Sequence, residues 1–403
     1  MAIERAILHM GMTKTGSASI QDTLINNTST LGKNGFRYLS EWGRYHLTRF
    51  KYLFSPCLVN PIGSGHLGKP FPNRKQYNKN SIQKMLNVMN TSECKTLIFS
   101  GEYSAELWHD STIDNIKDFI DKYFQSRGIE TTIIFFVRNP LTWAISSLQQ
   151  QIFAKGYLNK DSDYFETEIK HYQGIINLQK HFSDSLKLIK FEDACLDENG
   201  LVGCFLKASG FPENELKTIT IYRTNESRSL EAMEFINYVE TVEPRFPYSD
   251  YKRVNPNRYP KDLLCLKYTK GVKFDLPYES KAELWGRFSE TVHILKKNTG
   301  IDYTNYTPPP REIQEMYSEQ TVQEFIELFP KLSFVLQKHF LKFFEKKYME
   351  TAQIKFKQLH FKDSTPWKIY NSKNAFFSLL SLRIKNRLRN IRGTITKSLA
   401  LQK

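Results

Sequence analysis

Between Arg5 and Asn26 the chain places three different backbone demands on one short stretch. Arg5-Ala6-Ile7-Leu8-His9-Met10 is an apolar run of strand type, Gly11-Met12-Thr13-Lys14-Thr15-Gly16 is a turn bracketed by glycines, and Ser19 to Asn26 suits a helix. A strand apolar on both faces is stable only in a sheet covered on both sides, and a helix entered straight from it belongs to a parallel crossover. The segment therefore constrains the chain to an α/β fold before any other residue is read. It also prescribes an anion site, because glycines admit close approach and the free N–H groups of a helix start, with the helix dipole, favour negative charge.

Other runs rich in Ile, Leu, Phe and Val recur at 96–100, 131–137, 186–191 and 218–222, which makes about five parallel strands in all. The helices predicted between them are Asp114 to Gln125, Leu141 to Phe153 and Leu201 to Ser209. Residues 55–80, with several Gly and Pro and many Asn and Lys, predict a long loop or acceptor-side insertion. Pro308-Pro309-Pro310 cannot continue a helix, so the expected domains are a catalytic body at 1–307 and a helical extension at 308–403.

The loop spacing Gly11-x-x-x-x-Gly16 matches the opening of an ATP-binding P-loop, but Ser17 stands where that loop's lysine would follow, and the lysine comes early, at Lys14. The strand at 131–137 is followed by Arg138-Asn139-Pro140, whereas the corresponding strand of an ATPase ends in an aspartate that supports Mg²⁺. Arginine at that edge suits a second phosphate, and Ser146, eight residues on, brings a hydroxyl to the same anion. Metal-assisted ATP chemistry is the weaker reading.

These segments resemble the PAPS-dependent sulfotransferase family, specifically bacterial carbohydrate-type members, where PAPS is 3′-phosphoadenosine-5′-phosphosulfate. Lys14-Thr15-Gly16-Ser17 is similar to the core of the family's 5′-phosphosulfate loop. Arg138, Asn139, Pro140 and Ser146 occupy the places of its 3′-phosphate segment. Leu188-Ile189-Lys190-Phe191-Glu192-Asp193, followed by a helix and Gly210-Phe211-Pro212, resembles a third segment. Thr13 stands for the usual proline, Ala18 for a hydroxyl residue and Phe191 for the common tyrosine. The resemblance implies a P-loop-like three-layer fold, with PAPS as co-substrate and no metal. It also implies a nucleotide site drawn from Gly11, Thr13, Lys14, Thr15, Gly16, Ser17, Ala18, Arg138 and Ser146. Asn225 and Ser227 fall where the family often places a loop near the adenine, and they serve equally well as the cap of a following helix.

Sulfuryl transfer needs a cation on the leaving-oxygen side and a base for the acceptor hydroxyl. The resemblance assigns the first to Lys14. For the base, Glu102 follows the strand 96–100 and so projects at the sheet edge where open α/β folds bind ligands, and related bacterial enzymes carry a similar Ser-x-Glu segment. His46, in the Trp/Arg/Tyr-rich stretch Trp42 to Tyr52, is the rival.

The formal net charge of +15 is concentrated in the tail: residues 331–403 hold 17 Lys and Arg against three acids, leaving the rest almost neutral. Leu380, Ile384, Leu388, Ile391, Ile395 and Leu399 fall on one helical face, interleaved with Arg383, Lys385, Arg387, Arg389 and Arg392. Two readings fit this basic amphipathic pattern. One is docking on an anionic membrane; the other is packing on the body with a solvated charged face. Aromatic crowding at Phe334, Phe340, Phe343, Phe344 and Tyr348 predicts that the earlier tail helix packs on something. Five scattered cysteines without metal-ligand spacing predict reduced, mostly buried thiols, and the N-terminus lacks an apolar leader, so a cytoplasmic protein, peripheral on the inner face of the membrane, is expected. The expected acceptor is a glycan or glycolipid. The competing classes are a P-loop kinase or NTPase, requiring Mg²⁺, and a nucleic-acid binder driven by the basic tail, although no specific nucleic acid is expected.

Overall fold

The computed structural model describes residues 3–56, 73–104, 106–155, 164–224, 227–244, 255, 263, 265–266, 269–310 and 317–350. In chain order its elements are β1 (Arg5–Gly11), α1 (Ser17–Asn26), α2 (Thr28–Lys33), β2 (Phe36–Tyr38), α3 (Leu47–Phe54), α4 (Arg74–Thr91), β3 (Thr96–Glu102), α5 (Asp110–Tyr123), β4 (Glu130–Val137), α6 (Pro140–Lys155) and α7 (Tyr164–Phe182). Then follow β5 (Leu186–Lys190), α8 (Phe191–Cys195), α9 (Gly200–Ala208), α10 (Leu230–Val242), α11 (Tyr278–Thr299), α12 (Glu319–Leu328) and α13 (Phe334–Glu350).

The five strands form one parallel sheet in the order β2-β3-β1-β4-β5. Strand periodicity sends alternate residues to opposite faces, and both faces are apolar. Ala6, Leu8 and Met10 of β1, with Ile133, Phe135 and Val137 of β4, join a core beneath α4, α5, α7 and α11. Ile7, Ile134 and Phe136 face the other way, against Ile20 and Leu24 of α1 and Val202, Phe205 and Leu206 of α9. The protein is thus a three-layer α/β fold of P-loop-like type.

The chain leaves β1 toward the α1 face, whereas after β3 and β4 it turns to the opposite face, where Ile113 and Ile116 of α5 and Trp143 and Ala144 of α6 are buried. Neighbouring strands whose connections part in this way open a crevice at their carboxyl ends, the usual ligand position in open α/β sheets. Gly11, the last residue of β1, lies opposite Glu102, the last of β3.

Two expectations of the sequence reading change. The fifth strand is Phe36–Tyr38, three residues long, and 218–222 is not in the sheet. Thr218 ends a 3-10 helix (Glu213–Thr218), and Ile219, extended and buried, with Ile221, partly buried, accounts for the segment's strand-like alternation. Its amides bond to the side of α1 instead: the N–H groups of Thr220, Tyr222 and Thr224 donate to Asn27 Oδ1, Thr23 Oγ1 and Ser19 Oγ at 2.9, 3.0 and 3.0 Å. Those three acceptors are spaced by four along the helix and so share one face. The expected loop at 55–80 also changes, because Arg74–Thr91 is an 18-residue helix capped by Asn73, while 57–72 lie outside the described residues.

The chain packs into two units: Met1–Ser146, Lys160–Glu226 and Pro277–Pro310 form one, and Ser147–Asn159, Ser227–Leu276 and Arg311–Lys403 the other. This differs from a single cut at 307/308. The second unit has its own aromatic core, in which Phe235 of α10, Phe325 of α12 and Phe340, Phe343 and Phe344 of α13 are buried together. Of the tail's crowded aromatics, Phe340, Phe343 and Phe344 are therefore core packing, whereas the side chains of Phe334 and Tyr348 and the basic stretch 376–401 lie outside what the structure describes. No helix among the described residues is long and apolar enough to cross a membrane. None of the four described cysteines is in a disulfide, and contrary to expectation none is buried: Cys195 is exposed, and Cys94, Cys204 and Cys265 are partly so.

Candidate anion-binding site

The turn after β1 is wound tightly. Lys14 and Gly16 both take left-handed backbone angles, φ 65° and 69°. For glycine this is free, and for lysine it costs on the order of 1 kcal/mol. At Gly16 the positive φ favours glycine, and an ideal Cβ would stand 2.4 Å from Leu201 Cδ2, the movable end of that side chain. Such alternation of backbone handedness turns successive N–H groups inward and makes an anion-binding concavity. The Thr15 hydroxyl, expected as a phosphate donor, is buried and donates to the Met12 carbonyl at 2.6 Å, so it shapes the loop instead. Ser17 Oγ is buried and has no hydrogen-bond partner among the described residues. Ala18 is partly exposed in the first turn of α1.

Arg138 meets this loop. Its Nη1 donates to the Lys14 carbonyl at 2.5 Å and its Nε to Thr142 Oγ1 at 3.1 Å. The guanidinium lies over the Phe191 ring, 4.8 Å from the centroid, in a cation–π contact. Burial lowers the Arg138 pKa, and the Glu192 carboxylate opposes this, leaving a cation that is poorly hydrated and held in place. Glu192 organises the surroundings: Oε1 accepts from the Asn139 N–H at 3.1 Å and Thr142 Oγ1 at 2.9 Å, and Oε2 accepts from the Tyr303 hydroxyl at 2.9 Å. Ser146 lies one helical turn beyond Thr142 on α6 and is partly exposed. Trp143 ties the loop down from the same helix, its Nε1 donating to the Thr13 carbonyl at 2.9 Å and to Thr13 Oγ1 at 3.1 Å.

Glu102 is partly buried at the end of β3, beside Lys14. Burial raises its carboxyl pKa, and the Lys14 ammonium together with the Lys14 backbone N–H pulls it back. Two residues earlier, Ser100 is a junction. Its carbonyl accepts from Gln21 Nε2 at 3.0 Å and from the His46 N–H at 3.1 Å, its own N–H donates to His46 Nδ1 at 3.1 Å, and its Oγ lies 2.7 Å from His9 Nδ1.

That junction explains His46. The side chain is fully buried, stacked on Tyr38 at 4.7 Å and edged by Trp42, and burial lowers its pKa to about 3. A neutral, sequestered imidazole whose Nδ1 accepts an amide N–H fastens α3 to β3; the candidacy of His46 as base is corrected on this ground. Ser227 is exposed and does not cap α10, which Ser229 caps by accepting from the Ala232 N–H at 3.3 Å; Asn225 lies outside the described residues.

The structure therefore brings together Gly11, Thr13, Lys14, Gly16, Ser17, Arg138 and Glu102 at one sheet edge. Sequence reasoning missed the supporting residues Ser100, Gln21, Trp143 and Tyr303, together with His171 of α7, which lies 3.1 Å through Nδ1 from Ser104 Oγ and packs on Trp143. Trp143 carried a signal, as a large apolar residue inside the Arg138 segment, and Ser100 another, as the serine of the Ser-x-Glu segment. Among the described residues no group of three or more His, Cys, Asp or Glu is placed to hold a metal.

A glycine-bracketed turn, a helix start and a partly buried arginine at a sheet switch point define an α/β protein with a candidate anion site at its sheet edge. No protein-family profile matches the chain, and no curated protein does. Among solved structures it is similar to a sulfotransferase from Alicyclobacillus acidocaldarius, with TM-score 0.34 and 13% identity, covering 62% of this chain and 99% of that one. It is also similar to a retinol dehydratase in complex with androsterone and the inactive cofactor PAP, with TM-score 0.31 and 13% identity, covering 76% of this chain and 84% of that one. Likenesses this remote leave the chemistry of the crevice to its own residues.

Proposed function

We propose that the protein is a PAPS-dependent sulfotransferase, and that the contact between the Arg138 guanidinium and the Lys14 carbonyl carries the reading. It sets two cationic seats side by side, which suits a nucleotide phosphorylated at both 3′ and 5′ positions. Arg138, with Ser146, takes the 3′-phosphate, and Thr142 holds the guanidinium in place by accepting from Nε; the N–H groups of the turn, Ser17 and Lys14 take the 5′-phosphosulfate. The nucleotide supplies the activated sulfuryl group. Glu102 accepts the proton of the acceptor hydroxyl as that oxygen bonds to sulfur. Lys14 balances the charge on the bridging oxygen as its bond to sulfur breaks and PAP, 3′-phosphoadenosine-5′-phosphate, departs. The raised carboxyl pKa of Glu102 makes it a stronger base than a solvated glutamate.

The acceptor class we propose is a glycan or lipid-linked sugar. The basic amphipathic pattern at 376–401 supports it, since peripheral docking on an anionic inner membrane face brings the enzyme to such a substrate. A thermal-shift comparison of PAP with ATP and Mg²⁺ tests the nucleotide. At about 100-fold excess over Kd, PAP is expected to add about 2.7 kcal/mol of stability and ATP with Mg²⁺ far less. The reverse order would replace this reading with a P-loop kinase or NTPase.

A further inference from the structure

A stretch that the mechanism leaves idle carries two exposed side chains on a fixed mount. Arg44 and Tyr45 follow Gly43, whose φ of 97° turns the chain beyond the end of β2. Tyr45 is 46% exposed and the Arg44 side chain half-exposed. The backbone is pinned on both sides of them. The Arg44 carbonyl accepts from the Tyr38 hydroxyl at 2.8 Å, and the His46 N–H donates to the Ser100 carbonyl at 3.1 Å. Leu47 lies so close to β3 that an ideal Cβ on Gly101 would stand 3.2 Å from its backbone nitrogen. Gly101 precedes Glu102, so the stretch is laid against the strand end that carries the proposed base.

The two side chains are pinned as well. Asp22, in the second turn of α1, is buried, and its Oδ1 accepts from Arg44 Nε and, at 3.1 Å, from the Tyr45 hydroxyl. Its neighbour Gln21 donates to the Ser100 carbonyl, so this turn of α1 also faces the end of β3. The guanidinium lies over the Tyr45 ring, 5.1 Å from the centroid. Asp22 holds the guanidinium by Nε, and the side chain as a whole remains half in solvent. Long surface side chains ordinarily lose rotamer freedom when they bind, and a pair already fixed in this way loses less.

We propose that Arg44 and Tyr45 form an acceptor subsite, in which the Tyr45 ring packs on the C–H face of a sugar and the Arg44 guanidinium pairs with an anionic substituent of that sugar, a uronic carboxylate or a phosphate. The proposal deepens the glycan reading above and rests on it. An aromatic ring offers a flat apolar face with a polar tip, and the planar guanidinium matches the paired oxygens of a carboxylate or phosphate. The subsite selects the acceptor; it moves no proton and takes no part in sulfuryl transfer. The competing account is that Arg44 and Tyr45 serve only to satisfy the buried Asp22 carboxylate.

The test uses the full chain and three matched acceptors: a tetrasaccharide with one uronic acid, the same tetrasaccharide with that carboxyl reduced to an alcohol, and the reduced form carrying a 1-phosphate. Each is titrated calorimetrically into PAP-saturated protein and assayed for turnover with PAPS, in wild type, Arg44→Ala, Arg44→Lys and Tyr45→Ala. PAP affinity and melting temperature are recorded for every variant. Wild type is expected to prefer an anionic chain over the neutral one by about tenfold, and the preferred chain identifies the source of the anion. Arg44→Ala is expected to lose that preference and Arg44→Lys to keep part of it, while Tyr45→Ala weakens all three chains by about tenfold, with PAP affinity unchanged throughout. The subsite is overturned if wild type treats the three chains alike, or if Arg44→Ala lowers the melting temperature yet keeps the preference, as a mere cover for Asp22 would. Should Arg44→Ala not fold, Arg44→Lys and Tyr45→Ala decide. Wild type that binds no PAP removes the nucleotide reading and the subsite with it, whereas wild type that binds PAP and none of the three chains removes the subsite and the glycan acceptor alone.

Discussion

Lys14 and Glu102 hold each other's charge at the residue scale, and each makes a separate prediction. Lys14 is partly exposed, so Lys14→Ala is expected to fold normally. Its turnover should fall by roughly 10²–10³, the usual cost of losing one stabilising group at a leaving oxygen, as read from kcat at saturating PAPS. Wild-type turnover would remove Lys14 from the mechanism. Glu102 is read by pH. Its folded pKa is raised, chiefly by burial, so the ionised form is disfavoured in the folded chain. The penalty is absent below the unfolded carboxyl pKa, about 4.3, and grows as pH rises from there through the folded value. Nucleotide-free Glu102→Gln should therefore match wild type in melting temperature at low pH and exceed it near neutrality. The same ionisation generates the base, so the wild-type rate should climb with pH over that window. Glu102→Gln should lose the climb and roughly 10²–10⁴ of turnover. A retained limb would assign the base elsewhere.

At the scale of elements, α1 does three jobs with three faces. Its start closes the anion turn, Ile20 and Leu24 enter the core, and Ser19, Thr23 and Asn27 accept the amides of 220–224. Asn27 also donates through Nδ2 to the carbonyls of Thr23 and Thr220, both at 2.8 Å. Asn27→Ala breaks all three bonds, so a loss of about 1–3 kcal/mol is expected in denaturant unfolding, with the m-value unchanged. A loss within error would mean that water replaces the asparagine without cost. The alternation Thr218-Ile219-Thr220-Ile221-Tyr222 announces a strand; Ile219 and Ile221 do turn to the core, but Thr218 ends a 3-10 helix and the segment joins no sheet. Its partner is a helix flank nearly two hundred residues away, and alternation carries no information about a partner.

For the molecule as a whole, charge is divided between a nearly neutral body and a basic tail, so the two are expected to respond differently to truncation. A chain ending at residue 375 should bind PAP as the full chain does while losing affinity for vesicles containing anionic lipid, measured by co-sedimentation at low and high salt. Retained vesicle binding would move the membrane contact elsewhere.

Periodicity and spacing alone established the parallel sheet, the crossover helices and the pairing of an early lysine with an arginine at a strand end. Those features are local: each follows from a run of fewer than twenty residues and from how that run must bury its apolar face. Tertiary structure alone decided that the short run Phe36–Tyr38 is the edge strand, that His46 is buried against Ser100, and that His9, Gln21 and Ser100 form one junction behind the loop. Burial and hydrogen-bond partnership join residues 54 to 91 positions apart in this junction, and they arise only when the sheet brings distant segments to one edge.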